Sequence, residues 1–318
     1  MADCPSVGGD RMSAESSTRD GLFSWAPRSR SEAEPWLDAF VDGNRFTISV
    51  FFPLVGAFML LGSANGWVPE PLQFNPPFIL FGTAVMAAPL IVGVLPTIGR
   101  KAVAGIVLLM SYTYAIEYIG VTTGWPYGGF SYGVTLGPMI EGIPAALPLF
   151  FLPIVMNSYL LCILLLGDLA DRWVVRLAVV IPAVVAMDVV LDPAAVSLGF
   201  WAFADGGAFY NVPLSNYAGW VVSATVAVAV MDWAFDRDEL ESRLRSCEFM
   251  LDDMVSFVIL WGFINIWFGN WIPVVVAIVF GLGLIRAKRF DAGLLEPSTG
   301  LYIPDATKVA AARGVTDE

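Results

Sequence analysis

From about residue 46 to residue 286 the chain is a succession of long apolar runs, several approaching the roughly 20 residues needed to cross a hydrocarbon core. A soluble chain would break such runs with charges every few residues, whereas this one is 57% apolar with a mean hydropathy of +0.70. An outer-membrane barrel would alternate apolar and polar residues with period two. Ala102–Met110 and Val174–Val185 are instead almost uninterrupted. The pattern predicts an all-α integral membrane protein with spans at 46–64, 78–99, 102–121, 146–167, 173–193, 217–235, 253–268 and 270–286. The last two share the short turn Phe268-Gly269-Asn270, so a polytopic bundle of about eight transmembrane helices is expected, with seven the alternative.

The 17 Lys and Arg residues sort by loop. Arg11, Arg19, Arg28, Arg30 and Arg45 precede the first run, and Arg100 and Lys101 follow the second. Arg172 and Arg176 follow the fourth, and Arg237, Arg243 and Arg245 the sixth. Arg286, Lys288, Arg289, Lys308 and Arg313 follow the last, and the intervening loops carry none. Basic residues mark cytoplasmic loops, so both termini are expected in the cytoplasm of a multi-pass cell-membrane protein. Residues 1–45 then form a disordered tail with an amphipathic stretch near Trp36–Phe40, residues 46–290 the membrane domain and 291–318 a second tail. The net charge of -12 disfavours nucleic acid and anionic lipid as partners. It suits a salt-rich cytoplasm or an ordinary solubilising tail. Cys4, Cys162 and Cys247 are too scattered for a disulfide or metal framework, and residues 1–45 have no signal-peptide core.

With no His, the chain cannot build a His-clustered di-iron site or a His-ligated haem. Lys101, Lys288 and Lys308 fall at span ends or in a tail, which leaves no Lys for a retinal Schiff base. No Gly-rich nucleotide loop follows a strand. The expected chemistry therefore uses carboxylates, amides and aromatic rings, with no cofactor and no metal.

Ionisable groups within a span are costly and point to function. Glu117 lies toward the outer end of the third span, with Tyr114 and Tyr118 at helical spacing beside it. Asp188 and Asp192 lie four residues apart near the outer end of the fifth. Structural readings compete. Asp192-Pro193 can end the helix and open a turn, Asn157 can bridge helices, and Asp232 can snorkel or cap. Two loops on the same outward side, 124–141 and 199–217, are dense in Gly and aromatic residues and free of Lys and Arg. An interfacial aromatic belt accounts for some of these rings but not for the Gly and Pro. Gly128–Pro138 and Gly206–Asn216 align without gaps, a hint of a duplicated two-helix unit.

A carboxylic acid held in an apolar site keeps its proton to higher pH than one in water. Such an acid can protonate an alkene, aromatic faces can stabilise the tertiary cation, and a second carboxylate can activate water. Glu117, Asp188 and Asp192 are the catalytic candidates, with Glu117 or Asp188 as the donor. Tyr114, Tyr118, Trp125, Tyr132, Asn157, Trp201, Tyr210 and Asn216 are the candidates for substrate contact. The product is a hydrated isoprenoid end, or a cyclised one if a second double bond captures the cation. A prenyltransferase would need two Asp motifs on Mg²⁺–diphosphate, and Asp168-x-x-Asp171 and Asp188-x-x-x-Asp192 fall on opposite sides of the bundle. A proton- or cation-coupled transporter is the alternative from another class.

Longer stretches carry a resemblance. Tyr112–Gly167 contains Tyr-Ala-Ile-Glu-Tyr-Ile-Gly, Thr-Gly-Trp-Pro-Tyr-Gly-Gly-Phe-Ser-Tyr and Leu-Pro-Leu-Phe-Phe-Leu-Pro-Ile-Val-Met-Asn-Ser-Tyr. Asp188–Trp220 contains Leu-Asp-Pro-Ala-Ala-Val-Ser-Leu-Gly-Phe-Trp and Val-Pro-Leu-Ser-Asn-Tyr-Ala-Gly-Trp. Over about residues 46–290 the chain resembles the CruF-type carotenoid hydratases, the haloarchaeal members in particular. The resemblance implies addition of water to the terminal double bonds of a C50 carotenoid, with membrane lipid as the surroundings. It carries no catalytic residue with it.

Overall fold

The computed structural model describes residues 27, 29–296, 300–306 and 308–309. Cys4, Arg11, Arg19, Arg28 and Arg313 lie outside the described residues. Two compact units divide the chain at Asn44/Arg45 and Ser298/Thr299. In the smaller, α1 (Arg30–Gly43) is helical where a structureless tail is expected, and Ser29 Oγ caps it by accepting from Glu32 N at 3.3 Å. Asn44 then pairs with the backbone of Tyr302. Its Nδ2 donates to the carbonyl at 2.8 Å, and its Oδ1 accepts from the amide at 2.9 Å.

The larger unit is a helical bundle. Its elements are α2 (Thr47–Ala64), α3 (Pro76–Val94), α4 (Arg100–Thr123), α5 (Leu147–Leu166), α6 (Trp173–Leu198), α7 (Leu214–Ala234), the short polar α8 (Arg237–Ser246), α9 (Asp252–Phe268) and α10 (Trp271–Arg286). Seven of its helices are long and apolar enough to span a membrane. The eighth apolar helix, α10, has 16 residues, or about 24 Å at 1.5 Å per residue, a little short of the roughly 30 Å core. Among the described residues there is no closed sheet, only two two-stranded ribbons, one of β1 (Phe130–Tyr132) with β4 (Trp201–Phe203) and one of β2 (Met139–Ile140) with β3 (Ile143–Pro144). Local signals explain the helix ends. Asn75 caps α3 ahead of Pro76, and Gly124, Gly199 and Gly269 adopt left-handed conformations after α4, α6 and α9.

α9 is the most enclosed span and packs against α2, α3, α6 and α10. A buried ion pair fixes its start. Arg45 grips Asp252 bidentately, Nε to Oδ2 at 2.7 Å and Nη2 to Oδ1 at 3.0 Å. Asp232 does not snorkel. Arg176 Nη2 reaches its Oδ2 at 2.6 Å, and Tyr159 Oη donates to its Oδ1 at 2.6 Å.

One helix departs from expectation. α6 does not stop at Asp192-Pro193 but continues to Leu198. Pro193 lacks an N–H and so weakens the ladder there, but membrane helices tolerate this where neighbouring groups take up freed carbonyls. Next to the Val189 carbonyl, which Pro193 leaves without its ladder donor, Asn265 Nδ2 donates to the Val190 carbonyl at 2.7 Å, and Asn270 donates to Asn265 Oδ1 at 3.0 Å. Asp188 and Asp192 therefore both sit on helix, one turn apart.

Both aromatic loops lie at the same end of the bundle, opposite the clustered basic residues, and they pair. β1 (Phe130–Tyr132) runs antiparallel to β4 (Trp201–Phe203), with Tyr132 opposite Trp201. A Cβ at Gly133 would stand 2.3 Å from the Gly199 carbonyl oxygen, so only Gly allows the ribbon to close onto the end of α6.

Removing one member of a buried pair leaves an uncompensated charge. Asp252→Ala is expected to lower stability by about 3–5 kcal/mol, and the double change Arg45→Met, Asp252→Leu by clearly less. Thermal unfolding in detergent measures both, and equal losses would show that the pair does not anchor α9.

Candidate functional site

Helical geometry decides which polar residues of the spans face inward. On α4 the buried face runs through Thr113, Ile116 and Gly120, and Glu117 lies at its edge. Tyr118, a further 100° around, is 49% exposed on the outer surface. Tyr114 turns toward the β2–β3 ribbon, where its hydroxyl donates to the Ala145 carbonyl.

Glu117 faces a cavity of about 130 Å³. Asp192 from α6, Asn216 from the first turn of α7, and Trp220 one turn further line the same cavity. The β1–β4 ribbon closes it. Alternation along the two strands places Phe130, Tyr132, Trp201 and Phe203 on one face, all lining the cavity. The Tyr132 and Trp201 rings meet edge to face at 6.4 Å. Asp188 is fully buried behind this wall and does not line it.

Hydrogen bonds fix the polar groups. Tyr132 Oη donates to Glu117 Oε1. Asn216 Nδ2 donates to Asp188 Oδ2 at 2.9 Å and also to Asp192 Oδ2, so one amide group joins both carboxyls. Asp188 Oδ1 has no hydrogen-bond partner among the described residues. Tyr127, on the cavity wall, shares a 2.6 Å hydrogen bond with Ser223. Burial pushes the Tyr127 and Tyr132 phenols well above their ordinary range, and for Tyr132 the neighbouring Glu117 charge adds to this. Both therefore remain hydrogen-bond donors at physiological pH.

A second cavity of about 420 Å³ adjoins the first, sharing Phe150, Ile154, Leu191, Phe200 and Trp261 as a common wall. Its rim includes Phe78 and Phe81 of α3, more than half exposed, so it opens at the bundle surface between α2 and α3. Among the described residues, no Lys or Arg lines either cavity.

Of the expected contact residues, Tyr132, Trp201 and Asn216 meet at the smaller cavity. Asn157 lines the larger one, where its Nδ2 donates to Asp253 Oδ2 at 2.6 Å. Trp125 is 60% exposed, and Tyr210 accepts from Ile272 N at 3.3 Å away from both cavities, because each lies at an outer bend of its loop. Trp220, Trp261 and Asp253 were missed. The two Trp are indistinguishable in sequence from lipid-facing rings, and Asp253 falls at a span boundary, where a carboxylate is ordinarily solvated.

The whole is a membrane-type helical bundle with a carboxyl-lined aromatic pocket joined to an apolar chamber open at the bundle surface. A carotenoid biosynthesis protein family model matches residues 74–284, more than half of the chain. The chain is 52% identical over 281 residues, 88% of its length and 96% of the relative's, to bisanhydrobacterioruberin hydratase of Haloarcula japonica. It belongs to the carotenoid biosynthesis protein family. No solved structure matches it.

Asn216→Leu removes the donor shared by two buried carboxyls and is expected to cost roughly 1–3 kcal/mol. Trp125→Ala at the exposed bend should stay within about 0.5 kcal/mol. Thermal unfolding in detergent distinguishes the two, and a silent Asn216→Leu would remove the bridge from this account.

Proposed function

We propose that this chain is a carotenoid hydratase, adding water across a terminal carbon–carbon double bond of a long acyclic carotenoid. A C50 substrate is favoured by the name of the Haloarcula relative. The observation that carries the reading is the pair of carboxyls, Glu117 and Asp192, brought from different helices to one small aromatic cavity beside an apolar chamber.

In this reading the polyene enters sideways from the lipid and places its end group beneath the ribbon. The Asp192 carboxyl gives its proton to the less substituted alkene carbon, leaving a tertiary cation on its neighbour. The faces of Tyr132, Trp201 and Trp220 stabilise that cation. Water adds through its oxygen, and Glu117, oriented by the Tyr132 hydroxyl, takes the proton that the water loses. The proton gained by Glu117 balances the one lost by Asp192, and exchange with solvent resets the pair. Asp188 and Asn216 are positioning residues for Asp192.

The prenyltransferase alternative loses support. Asp171 and Asp192 bracket most of α6, about 30 Å of helix, and cavities free of Lys and Arg are poor hosts for diphosphate. We also assign both termini to the cytoplasm and the ribbon to the outer face of the cell membrane, from the basic residues gathered at the opposite end. A phosphatase reporter fused to the C-terminus should be inactive, and activity there would reverse the orientation.

The chemistry is tested with purified protein in lipid vesicles and an acyclic C50 carotenoid with unhydrated ends, read by the gain of one or two water masses. Asp192→Asn and Glu117→Gln are each expected to slow the reaction by about 10²–10⁴-fold, and Tyr132→Phe by about tenfold. Wild-type rates in both carboxyl variants would exclude this assignment.

A further inference from the structure

Behind the smaller cavity runs a chain of three hydroxyls that the hydration steps leave unused. Tyr127 on the cavity wall shares a 2.6 Å hydrogen bond with Ser223 of α7, and Ser223 shares a second, at 3.0 Å, with Tyr112 of α4. The Tyr127 ring fills a slot between those two helices. A Cβ on Gly219 of α7 would stand 2.5 Å from one edge of the ring, and one on Gly120 of α4 would stand 3.2 Å from the other. Both helices thus give up a side chain to seat this one ring. Tyr127 and Ser223 are both buried.

Three hydroxyls bring three protons, and the two contacts use two of them. The place of the third decides what the chain can do. On Ser223 it would be stranded, a buried donor with no further acceptor among the described residues. On Tyr112, midway along a membrane-spanning helix, lipid offers it no acceptor. On Tyr127 it faces the cavity that Glu117 and Asp192 line, and that water has to enter for hydration. The favoured direction therefore runs from Tyr112 to Ser223 to Tyr127, each hydroxyl donating to the next. Tyr127 accepts from Ser223 and is left as a donor into the cavity.

We propose that the Tyr127 hydroxyl holds the attacking water, with Ser223 and Tyr112 as positioning residues that aim its proton into the cavity. The water accepts from Tyr127 through one lone pair and donates one proton to Glu117. Its second lone pair forms the bond to the tertiary carbon, and the donated proton passes to Glu117 as that bond forms. Without Tyr127 the cation waits longer for water and more often loses a proton from an adjacent carbon to the Asp192 carboxylate, which regenerates an unhydrated polyene. The proposal rests on the hydratase reading and deepens it, from which carboxyls react to where the water is bound.

The test runs the protein in vesicles, in heavy water, with the acyclic C50 carotenoid. A deuterated carboxyl then delivers deuterium to carbon whether or not water follows. The readout, by mass, is the ratio of deuterium-labelled polyene recovered without water to hydrated product. Tyr127→Phe is expected to raise this ratio about tenfold over wild type, and Ser223→Ala about threefold. If Tyr127→Phe slows labelling and hydration together and keeps the wild-type ratio, its role is purely structural and the proposal is overturned. A variant with wild-type rate and ratio overturns it equally. If Tyr127→Phe does not fold, Ser223→Ala decides by the same ratio, and an unchanged value overturns the proposal. A wild type that neither labels nor hydrates the polyene is the separate result that removes the hydratase reading, and this proposal with it.

Discussion

Inside an apolar bundle each carboxyl has to find its hydrogen-bond partner within the protein, because lipid offers none. The partners divide into two kinds. Asp252 and Asp232 are held by Arg45 and Arg176, at the end of the bundle where the basic residues collect. These ion pairs tie helix ends together. Glu117, Asp188, Asp192 and Asp253 are held by a phenol or an amide: Tyr132, Asn216 and Asn157. A neutral partner fixes the geometry of a carboxyl without committing its charge. Three of those four line cavities, and the fourth, Asp188, stands directly behind one that does.

The spans and the aromatic loops were legible in the sequence because both depend on local composition. Apolar length defines a span whatever surrounds it, and clustered Gly, Pro and aromatic residues define a folded loop. Which loop residues meet was not legible. Tyr132 and Trp201 are separated by two whole spans, and only the antiparallel register brings their rings to one face. Spacing on α4 grouped Tyr114, Glu117 and Tyr118, yet a group covering 100° of helix surface straddles the edge of a buried face, so Tyr118 ends outside.

The Asp192-Pro193 step shows how a local rule yields to its surroundings. In water the dipeptide opens a turn, because the backbone groups released by proline can hydrate. Here the adjacent turn is braced from α9 by Asn265, itself held by Asn270 at the α9–α10 turn. Neither amide is near Pro193 in sequence. Their effect is to keep Asp188 and Asp192 in helical register, one turn apart, so that a single Asn216 amide reaches both.

Hydration and cyclisation begin with the same protonated end group and part at the capture of the cation. Rings alone stabilise a cation without trapping it, which leaves time for a neighbouring double bond to fold back. A base positioned for water shortens that interval. The smaller cavity combines both elements, with aromatic faces from the ribbon and α7 and Glu117 set at its wall by Tyr132. Its volume of about 130 Å³ also limits how far an isoprenoid end can curl while the rest of the chain occupies the larger chamber. In the proposed hydration Tyr132 contributes twice, closing the cavity as part of the ribbon and orienting the group that receives the water's proton. The pairing of β1 with β4 thus forms the roof of the cavity and, in the proposed hydration, takes part in its chemistry.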